Sequence, residues 1–218
     1  MPAELVIFDC DGVLIDSERL AIGLDVAMLA DIGWPLSREE VIQRFIGRSF
    51  QHMLDQVEAQ LGHPVDPAWS ARWDQRYQEL LAAELEVVDG VEAAVDAIQA
   101  AGHATCVASS SSHENLRRNL SNVDLHARFD GRIFSGYDVA NGKPAPDLFL
   151  HAAKTLGFTP EQCVVVEDSR FGVAAARAAG MHCFAYAGGG MIPVADLEGP
   201  GTTVFQTMAE LPELIRGR

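Results

Sequence analysis

The sequence has no apolar run near the ~20 residues that span a bilayer, and its N-terminus lacks the basic, apolar and small-residue order of a signal peptide. Basic residues are also scarce, because 16 Lys and Arg stand against 31 Asp and Glu, which gives a formal net charge of -15. A nucleic-acid-binding surface requires clustered Lys and Arg. We therefore expect a soluble, cytoplasmic protein that binds neither nucleic acid nor membrane, and a monomer is the simplest expectation.

Cysteine is rare and never forms a CxxC pair, which favours reduced thiols over disulfides. Each cysteine lies in or beside an apolar run, so we expect buried free thiols at Cys10, Cys106, Cys163 and Cys183. Cys10 stands between Asp9 and Asp11, and these acids should raise its pKa. A reactive thiolate needs positive surroundings, so Cys10 is a poor candidate for a nucleophile.

Short apolar runs alternate with helical stretches along the 218 residues, of which 48% are hydrophobic. This alternation predicts an α/β fold with a Rossmann-like parallel sheet and helices on both faces. The expected strands are Leu5–Phe8, His103–Ala108, Gly131–Phe134, Cys163–Val166 and His182–Tyr186. The triplet Gly188–Gly190 is expected to be a flexible loop after the last strand, because no P-loop pattern accompanies it.

Residues 17–85 interrupt the alternation, because they contain helical patterns and no convincing strand. The predicted helices lie around Leu20–Asp31, after a capping box of Ser37 and Glu40, around Phe50–Leu61, and from about Pro67 to Leu85. We interpret this segment as a small helical cap domain inserted into an α/β core of residues 1–16 and 86–218. The hinges are expected near Ile15–Asp16 and Glu86–Asp89.

Two carboxylates follow the first predicted strand, where Leu5–Phe8 runs into Asp9-Cys10-Asp11-Gly12. A buried charge is costly unless a metal or a partner compensates it, so this pattern indicates a cation site or a proton-transfer site. An Asp-rich turn is the alternative, since Asp and Gly favour turns for backbone reasons alone.

Three further polar groups follow other predicted strands, and each has an alternative explanation. The serines 109–112 offer hydroxyl and N–H groups to an anion, or else cap a helix. Lys143, followed by two prolines, is either a positioned cation or part of a solvated turn. Glu167 and Asp168 either bind metal or cap a helix. All of these groups lie at the carboxyl edge of one parallel sheet, where open α/β proteins bind ligands, so we predict a Mg²⁺ site facing a phosphate site.

These motifs together resemble the haloacid dehalogenase superfamily, and the insert resembles its phosphoglycolate phosphatase and β-phosphoglucomutase subgroup. The resemblance covers essentially the whole chain. It implies a Mg²⁺-dependent phosphatase that acts on a small phosphorylated metabolite through an aspartyl-phosphate. The implied catalytic residues are Asp9 as nucleophile and Asp11 as general acid and base. The implied phosphate ligands are Ser109, Ser110 and Lys143. The implied metal site consists of Asp9, the backbone carbonyl of Asp11, Asp168 and Glu167. Glu167 either binds the metal directly or supports the residues that do.

Within this superfamily the second aspartate, Asp11, favours phosphoryl transfer over dehalogenation. A histidine and a cap arginine typical of the mutases correspond to Ala21 and Phe50 here, which favours hydrolysis, although Arg48 can take the place of that arginine and keeps a mutase open. Arg48 and Ser49 lie in the expected substrate-facing cap loop, where Arg48 either pairs with a carboxylate or second phosphate or is merely solvated. The segment Phe134–Asp138 resembles sugar-phosphate phosphatases active on 6-phosphogluconate. A non-catalytic phosphate- or magnesium-binding module is the remaining alternative.

Overall fold

The structure is a computed structural model that describes residues 3–217. Its centre is a six-stranded, wholly parallel sheet with the order β3-β2-β1-β4-β5-β6. The strands are β1 Leu5–Phe8, β2 Ala104–Ser109, β3 Ile133–Ser135, β4 Cys163–Glu167, β5 His182–Tyr186 and β6 Thr202–Phe205. The predicted Rossmann-like α/β fold is confirmed.

Helices cover both faces of the sheet and fill the segment between β1 and β2. The helices are α1 Ser17–Asp31, α2 Arg38–Phe45, α3 Phe50–Leu61, α4 Pro67–Glu84, α5 Val91–Ala100, α6 His113–Asn122, α7 Asp147–Leu156, α8 Arg170–Ala178, α9 Val194–Leu197 and α10 Leu211–Arg216. The predicted capping box is present, because Ser37 accepts from the Glu40 N–H while the Glu40 carboxylate accepts from the Ser37 N–H.

The central strand β1 is buried along its whole length, as expected for a parallel strand covered on both faces. Its side chains alternate between two hydrophobic clusters: Leu5 and Ile7 pack on the side of α7, α8 and the helices of the insert, and Val6 and Phe8 pack on the side of α5, α6 and α10. Side chains therefore pack against β1 on both faces up to its last residue, and Asp9 follows directly.

The insert leaves and re-enters the core through two chain segments that pair with each other. Ile15 and Val87 form an antiparallel bridge, and the Asp16 N–H donates to the Glu86 carbonyl at 2.9 Å. The expected hinges lie at this pairing. The division into a core and a cap domain stays a prediction, and below we use "cap" for residues 17–85.

Two sequence expectations need correction. His182–Tyr186 is not the last strand, because β6 pairs in parallel beside it, so Gly188–Gly190 connects two strands. Several strand bounds also shift, as β2 begins at Ala104 and β3 at Ile133. The four cysteines are free and buried as expected. Among residues 3–217, no helix combines the length and apolar character needed to cross a bilayer.

Candidate active site

The candidate site lies where the strand order reverses, at the carboxyl ends of β1 and β4. Phe8 pairs with Val166 in register, and the Asp9 N–H donates to the Val166 carbonyl at 2.9 Å. This pairing places Asp9, directly after β1, beside Glu167 at the end of β4. Ligands of open α/β sheets bind at such a switch point, so the predicted convergence of the acidic groups occurs at the expected edge.

Lys143 lies between the two acidic groups. Its Nζ donates to Asp9 Oδ1 at 2.8 Å and to Glu167 Oε1 at 2.6 Å, and its side chain is only 1% exposed. Burial acts to lower the pKa of Lys143, but the carboxylates of Asp9 and Glu167 outweigh it and raise that pKa above its usual range. The ammonium is therefore charged, and Lys143 is not part of a solvated turn.

Glu167 is fully buried, and its hydrogen bonds hold it in place. While Oε1 accepts from Lys143, Oε2 accepts from the N–H groups of Asp168 and Ser169 and from the Ser169 hydroxyl, at 2.9–3.0 Å. Gly172 of α8 packs directly against this carboxylate, because a Cβ built there would lie 1.7 Å from Glu167 Oε1. Glu167 thus fixes the position of Lys143. Gly172 leaves the space that the Glu167 carboxylate occupies.

Two glycine-to-alanine changes in helices are expected to have opposite effects on stability. In α8, Gly172→Ala displaces the Glu167 carboxylate from four donors, so we expect a loss of about 1–3 kcal/mol from overpacking. In α1, Gly23 has no atom within 4 Å of a built Cβ, so Gly23→Ala should gain about 0.5–1 kcal/mol through helix propensity. Urea unfolding of both variants measures the difference. Equal gains in stability would show that the Glu167 carboxylate can move away from the added methyl group at little cost.

The carboxylates of Asp9, Glu167 and Asp168 can hold a metal ion, because ligand atoms from all three lie within 4.8 Å of one another. Asp168 Oδ1 is buried and has no hydrogen-bond partner. Burial raises the pKa of Asp9 to about 7, opposed by Lys143 and reinforced by Glu167 and Asp11, so the ammonium of Lys143 does not offset the cost of burying this carboxylate. An all-oxygen set with excess negative charge fits a hard divalent cation.

Glu18, in the first turn of α1, is a site residue that the sequence motifs did not reveal. It is 7% exposed, and burial raises its pKa well above the usual range while its hydrogen bond with Asp168 opposes the shift. Glu18 Oε2 has no partner. No periodicity or strand-end pattern marks this position, because α1 begins only two residues after the Ile15 bridge and so brings Glu18 back over the sheet edge.

Asp11 is held by hydroxyl groups from two segments. Ser17 donates to Asp11 Oδ1 at 2.6 Å, whereas Ser111 and Ser109 donate to Oδ2 at 3.0 and 3.4 Å. Gly12 has a φ of 76°, and a built Cβ there would lie 2.0 Å from Asp168 Oδ2. A glycine is therefore required for the chain to turn after Asp11 and pass close to Asp168.

The serines 109–112, at the end of β2 and directly after it, have different roles. Ser112 caps α6 by accepting from the Asn115 N–H, so the helix-cap alternative holds for this residue. Ser109 is buried and faces Asp11, and Ser110 donates to the Gly47 carbonyl of the cap at 3.3 Å. Phosphate binding by Ser109 and Ser110 stays a prediction. Ser169, after β4, has two roles, because it caps α8 and also donates to the Glu167 carboxylate.

The cap loop contacts the core through Arg48. Its Nη1 donates to the Lys143 carbonyl at 3.0 Å, and its guanidinium carbon lies 3.7 Å from the centre of the Phe171 ring. Burial lowers the pKa of Arg48. Arg48 is thus not a freely solvated side chain, whereas Ser49 caps α3 by accepting from the His52 N–H. Their roles in substrate choice stay predictions.

A cavity of about 160 Å³ separates this site from the cap. Its floor is formed by Asp9, Asp11 and the serines 109–111, and its upper walls come from α1, the 45–50 loop and α4. The carboxylates of Asp9 and Asp11 therefore face a partly open space that the cap bounds on the far side. Such a space can hold the part of a substrate that extends away from the reacting group.

Comparisons with known proteins agree with this geometry. A sequence model described as haloacid dehalogenase-like hydrolase matches residues 3–180. The chain is 32% identical to 6-phosphogluconate phosphatase of Escherichia coli over 99% of this chain and 96% of that protein. It is 31% identical to a phosphorylated carbohydrates phosphatase of Thermotoga maritima over 82% of each chain. A haloacid dehalogenase-like protein of Agrobacterium tumefaciens superposes with a TM-score of 0.80 at 34% identity, covering 99% of this chain and 98% of that one.

Proposed function

Because this chain belongs to the haloacid dehalogenase-like hydrolase family, we propose that Asp9 is the nucleophile of a phosphatase for small phosphorylated sugar metabolites. The observation that carries the assignment is the buried pair of Lys143 and Asp9 beside Asp11. Lys143 holds one oxygen of Asp9 in place, and the cavity lies directly above. A fixed carboxylate with a cation beside it suits attack on a phosphoryl group.

The reaction consists of two displacements at phosphorus. In the first, a carboxylate oxygen of Asp9 attacks, the bond between phosphorus and the ester oxygen breaks, and Asp11 gives its proton to the departing alkoxide. In the second, Asp11 takes a proton from water, whose oxygen attacks the aspartyl-phosphate and releases inorganic phosphate. Asp11 thus gives a proton in the first displacement and recovers one in the second, and the hydroxyl groups of Ser17, Ser109 and Ser111 hold its side chain in place.

Charge on the phosphoryl oxygens is balanced by groups on both sides of Asp9. Lys143 supplies a fixed ammonium, while Ser109 and Ser110, at the end of β2, supply hydroxyl and backbone donors. Glu167 does not touch the phosphoryl group in this scheme, because all of its contacts serve to hold Lys143 and the start of α8. Glu167 therefore positions Lys143, which is the residue proposed to bind the phosphoryl group.

The metal is proposed to be Mg²⁺, held by Asp9, Asp168 and the backbone carbonyl of Asp11, with Glu167 supporting from behind. The unpartnered Oδ1 of Asp168 supports this ligand set. When bound, the ion neutralises charge on the transferring phosphoryl group. Residues 17–85 are proposed to act as the cap that excludes water from the reaction. We place the enzyme in the cytoplasm as a monomer, consistent with its four free thiols.

Hydrolysis is favoured over a mutase reaction by the residues that face Asp11. Ala21 lines the cavity at the position where the mutases carry a histidine, and a methyl group cannot hold the proton of an incoming hydroxyl. Three serines contact Asp11 instead. Water is therefore the second nucleophile. Glucose 1-phosphate with its bisphosphate primer tests the mutase alternative, which predicts glucose 6-phosphate without net phosphate release.

Removal of the metal is expected to stop turnover of p-nitrophenyl phosphate. Chelation should lower the rate by about 100-fold or more, because Lys143 would then be the one cation, among the described residues, beside the carboxylates of Asp9, Glu167 and Asp168. Added Mg²⁺ should restore the rate. Nitrophenol release is followed by absorbance, and an equal excess of the chelator's Mg²⁺ complex is the control. A protein that binds Mg²⁺ but releases no nitrophenol under any condition would be a non-catalytic binding module.

A further inference from the structure

Glu18 lies between two cavities of the molecule. It lines the cavity above Asp9, and it also lines a second cleft of about 690 Å³ beside the segments that join the cap to the core. Among residues 3–217, Asp168 lines this second cleft but not the first cavity. The proposed metal ligand that follows β4 therefore faces a space outside the cavity above Asp9, and Glu18 borders both spaces.

The carboxylates of Glu18 and Asp168 meet beside Gly12. A Cβ built on Gly12 would lie 2.0 Å from Asp168 Oδ2 and 3.2 Å from Glu18 Oε2. Glu18 is 7% exposed. Its Oε2 atom and the Oδ1 atom of Asp168 are buried, and neither has a hydrogen-bond partner. Because buried polar atoms normally have partners, these two neighbouring carboxylates call for a group that carries positive charge or donates hydrogen bonds.

Basic side chains of the protein do not supply that group. In the described part of the chain, no Lys, Arg or His forms an ion pair with Glu18 or Asp168. The ammonium of Lys143 is bound by Asp9 and Glu167. The second cleft is also acidic around its rim, where Asp16, Glu39, Glu86 and Asp89 outnumber Arg19 and Arg38. Such a cleft attracts cations from solution.

We propose that Glu18 is a further residue of the metal site, where its carboxylate accepts a hydrogen bond from a water molecule bound to the divalent ion at Asp168. The proposal rests on the metal site of the proposed function. Mg²⁺ gives up its water reluctantly and keeps several water molecules beside its protein ligands, and acceptors outside the ligand set hold such groups in place. Glu18 is not one of the three carboxylates whose ligand atoms lie within 4.8 Å of one another, which suits a contact through water.

The affinity of the substrate-free protein for Mg²⁺ tests the proposal without any turnover. Glu18→Gln keeps the shape of the side chain but removes its charge, so we expect it to weaken Mg²⁺ binding by about tenfold or more. Glu39→Gln is the matched control, because Glu39 lines the same cleft at an exposed position. An exposed charge is screened by salt, so this control should bind Mg²⁺ as the wild type does. Titration calorimetry measures all three affinities.

Glutamine also distinguishes this role from a purely structural one. If Glu18 only donates a hydrogen bond that positions Asp168, the amide N–H of glutamine can do the same. Glu18→Gln would then bind Mg²⁺ as tightly as the wild type while Glu18→Ala binds it more weakly, and that result overturns the proposal. We expect both variants to bind Mg²⁺ weakly. Without metal, Glu18→Gln should unfold at or above the temperature of the wild type, because it removes one of two adjacent buried charges.

The outcomes separate this proposal from the proposed function. If the wild type binds no Mg²⁺ and its turnover of p-nitrophenyl phosphate does not depend on Mg²⁺, the metal site itself fails, and the proposal fails with it. If the wild type binds Mg²⁺ and Glu18→Gln binds it equally tightly, only the proposal fails. If the proposal holds, the Mg²⁺ concentration for half-maximal turnover rises in Glu18→Gln by the same factor as the dissociation constant, while kcat at saturating Mg²⁺ changes far less.

Discussion

Asp9→Asn is expected to abolish phosphatase turnover and phosphoenzyme formation, with a loss of about 10⁴-fold or more in kcat. An amide oxygen is a far weaker nucleophile than a carboxylate, and the change also removes one of the negative charges that hold Lys143 and the metal. The fold should persist, because the variant keeps Glu167, which pairs with Lys143 at 2.6 Å in the wild-type structure. Turnover of p-nitrophenyl phosphate and trapping of labelled phosphate on the protein measure the two losses.

Asp11→Asn supplies the contrasting variant, because Asp11 moves the proton and does not form the bond to phosphorus. Nitrophenolate leaves without protonation, so Asp11→Asn should still acquire label from p-nitrophenyl phosphate and then release it slowly. Asp130→Asn, an exposed change elsewhere on the surface, should behave as wild type. Wild-type turnover by Asp9→Asn would refute the assignment of the nucleophile.

Lys143→Met is expected to cost both stability and activity. It leaves Asp9 and Glu167 buried without their shared cation, and removal of one partner from a buried ion pair typically costs about 3–5 kcal/mol. The phosphoryl group also loses its fixed ammonium, which should lower kcat by about 10²–10³-fold. Urea unfolding and p-nitrophenyl phosphate kinetics measure the two effects. Lys154→Met, at an exposed position of α7, is the control for loss of a lysine.

A double variant separates the two effects of Lys143. In Lys143→Met with Glu167→Gln, one of the unpaired carboxylates becomes neutral, and part of the lost stability should return. Activity should not return, because the ammonium is still missing. If activity rises together with stability, Lys143 serves only to hold the site together and is not a phosphate ligand.

Much of the sheet and its reactive edge is predictable from the sequence for a simple physical reason. A buried parallel strand is a continuous apolar run, and a run such as Leu5–Phe8 ends where the first carboxylate appears. The bounds of β1, β5 and α3 follow directly from their apolar runs and helix caps. Because carboxyl ends of parallel strands share one edge, the convergence of Asp9, Lys143 and Glu167 could be predicted without coordinates.

Features that depend on tertiary contacts were not predictable. The edge strand β6, Thr202–Phe205, is only half-buried along most of its length and contains two threonines, so it lacks the apolar run that marks the other strands. Glu18 is a site residue only because α1 folds back over the sheet edge. The contact of Arg48 with Phe171 joins positions far apart in the chain. The cavity wall that carries Glu18, Asp25 and Asp74 requires α1 and α4 to lie side by side.

The pairing of Ile15 with Val87 also bears on how such enzymes diversify. Since the two ends of the helical segment meet at one point, the segment is a cassette whose removal or exchange leaves the order of the strands unchanged. We therefore expect mutations that remodel α1 and α4 to alter which metabolite is accepted, while the chemistry on the sheet is inherited intact. Grafting residues 17–85 of one relative onto the core of another tests whether the substrate preference moves with this segment.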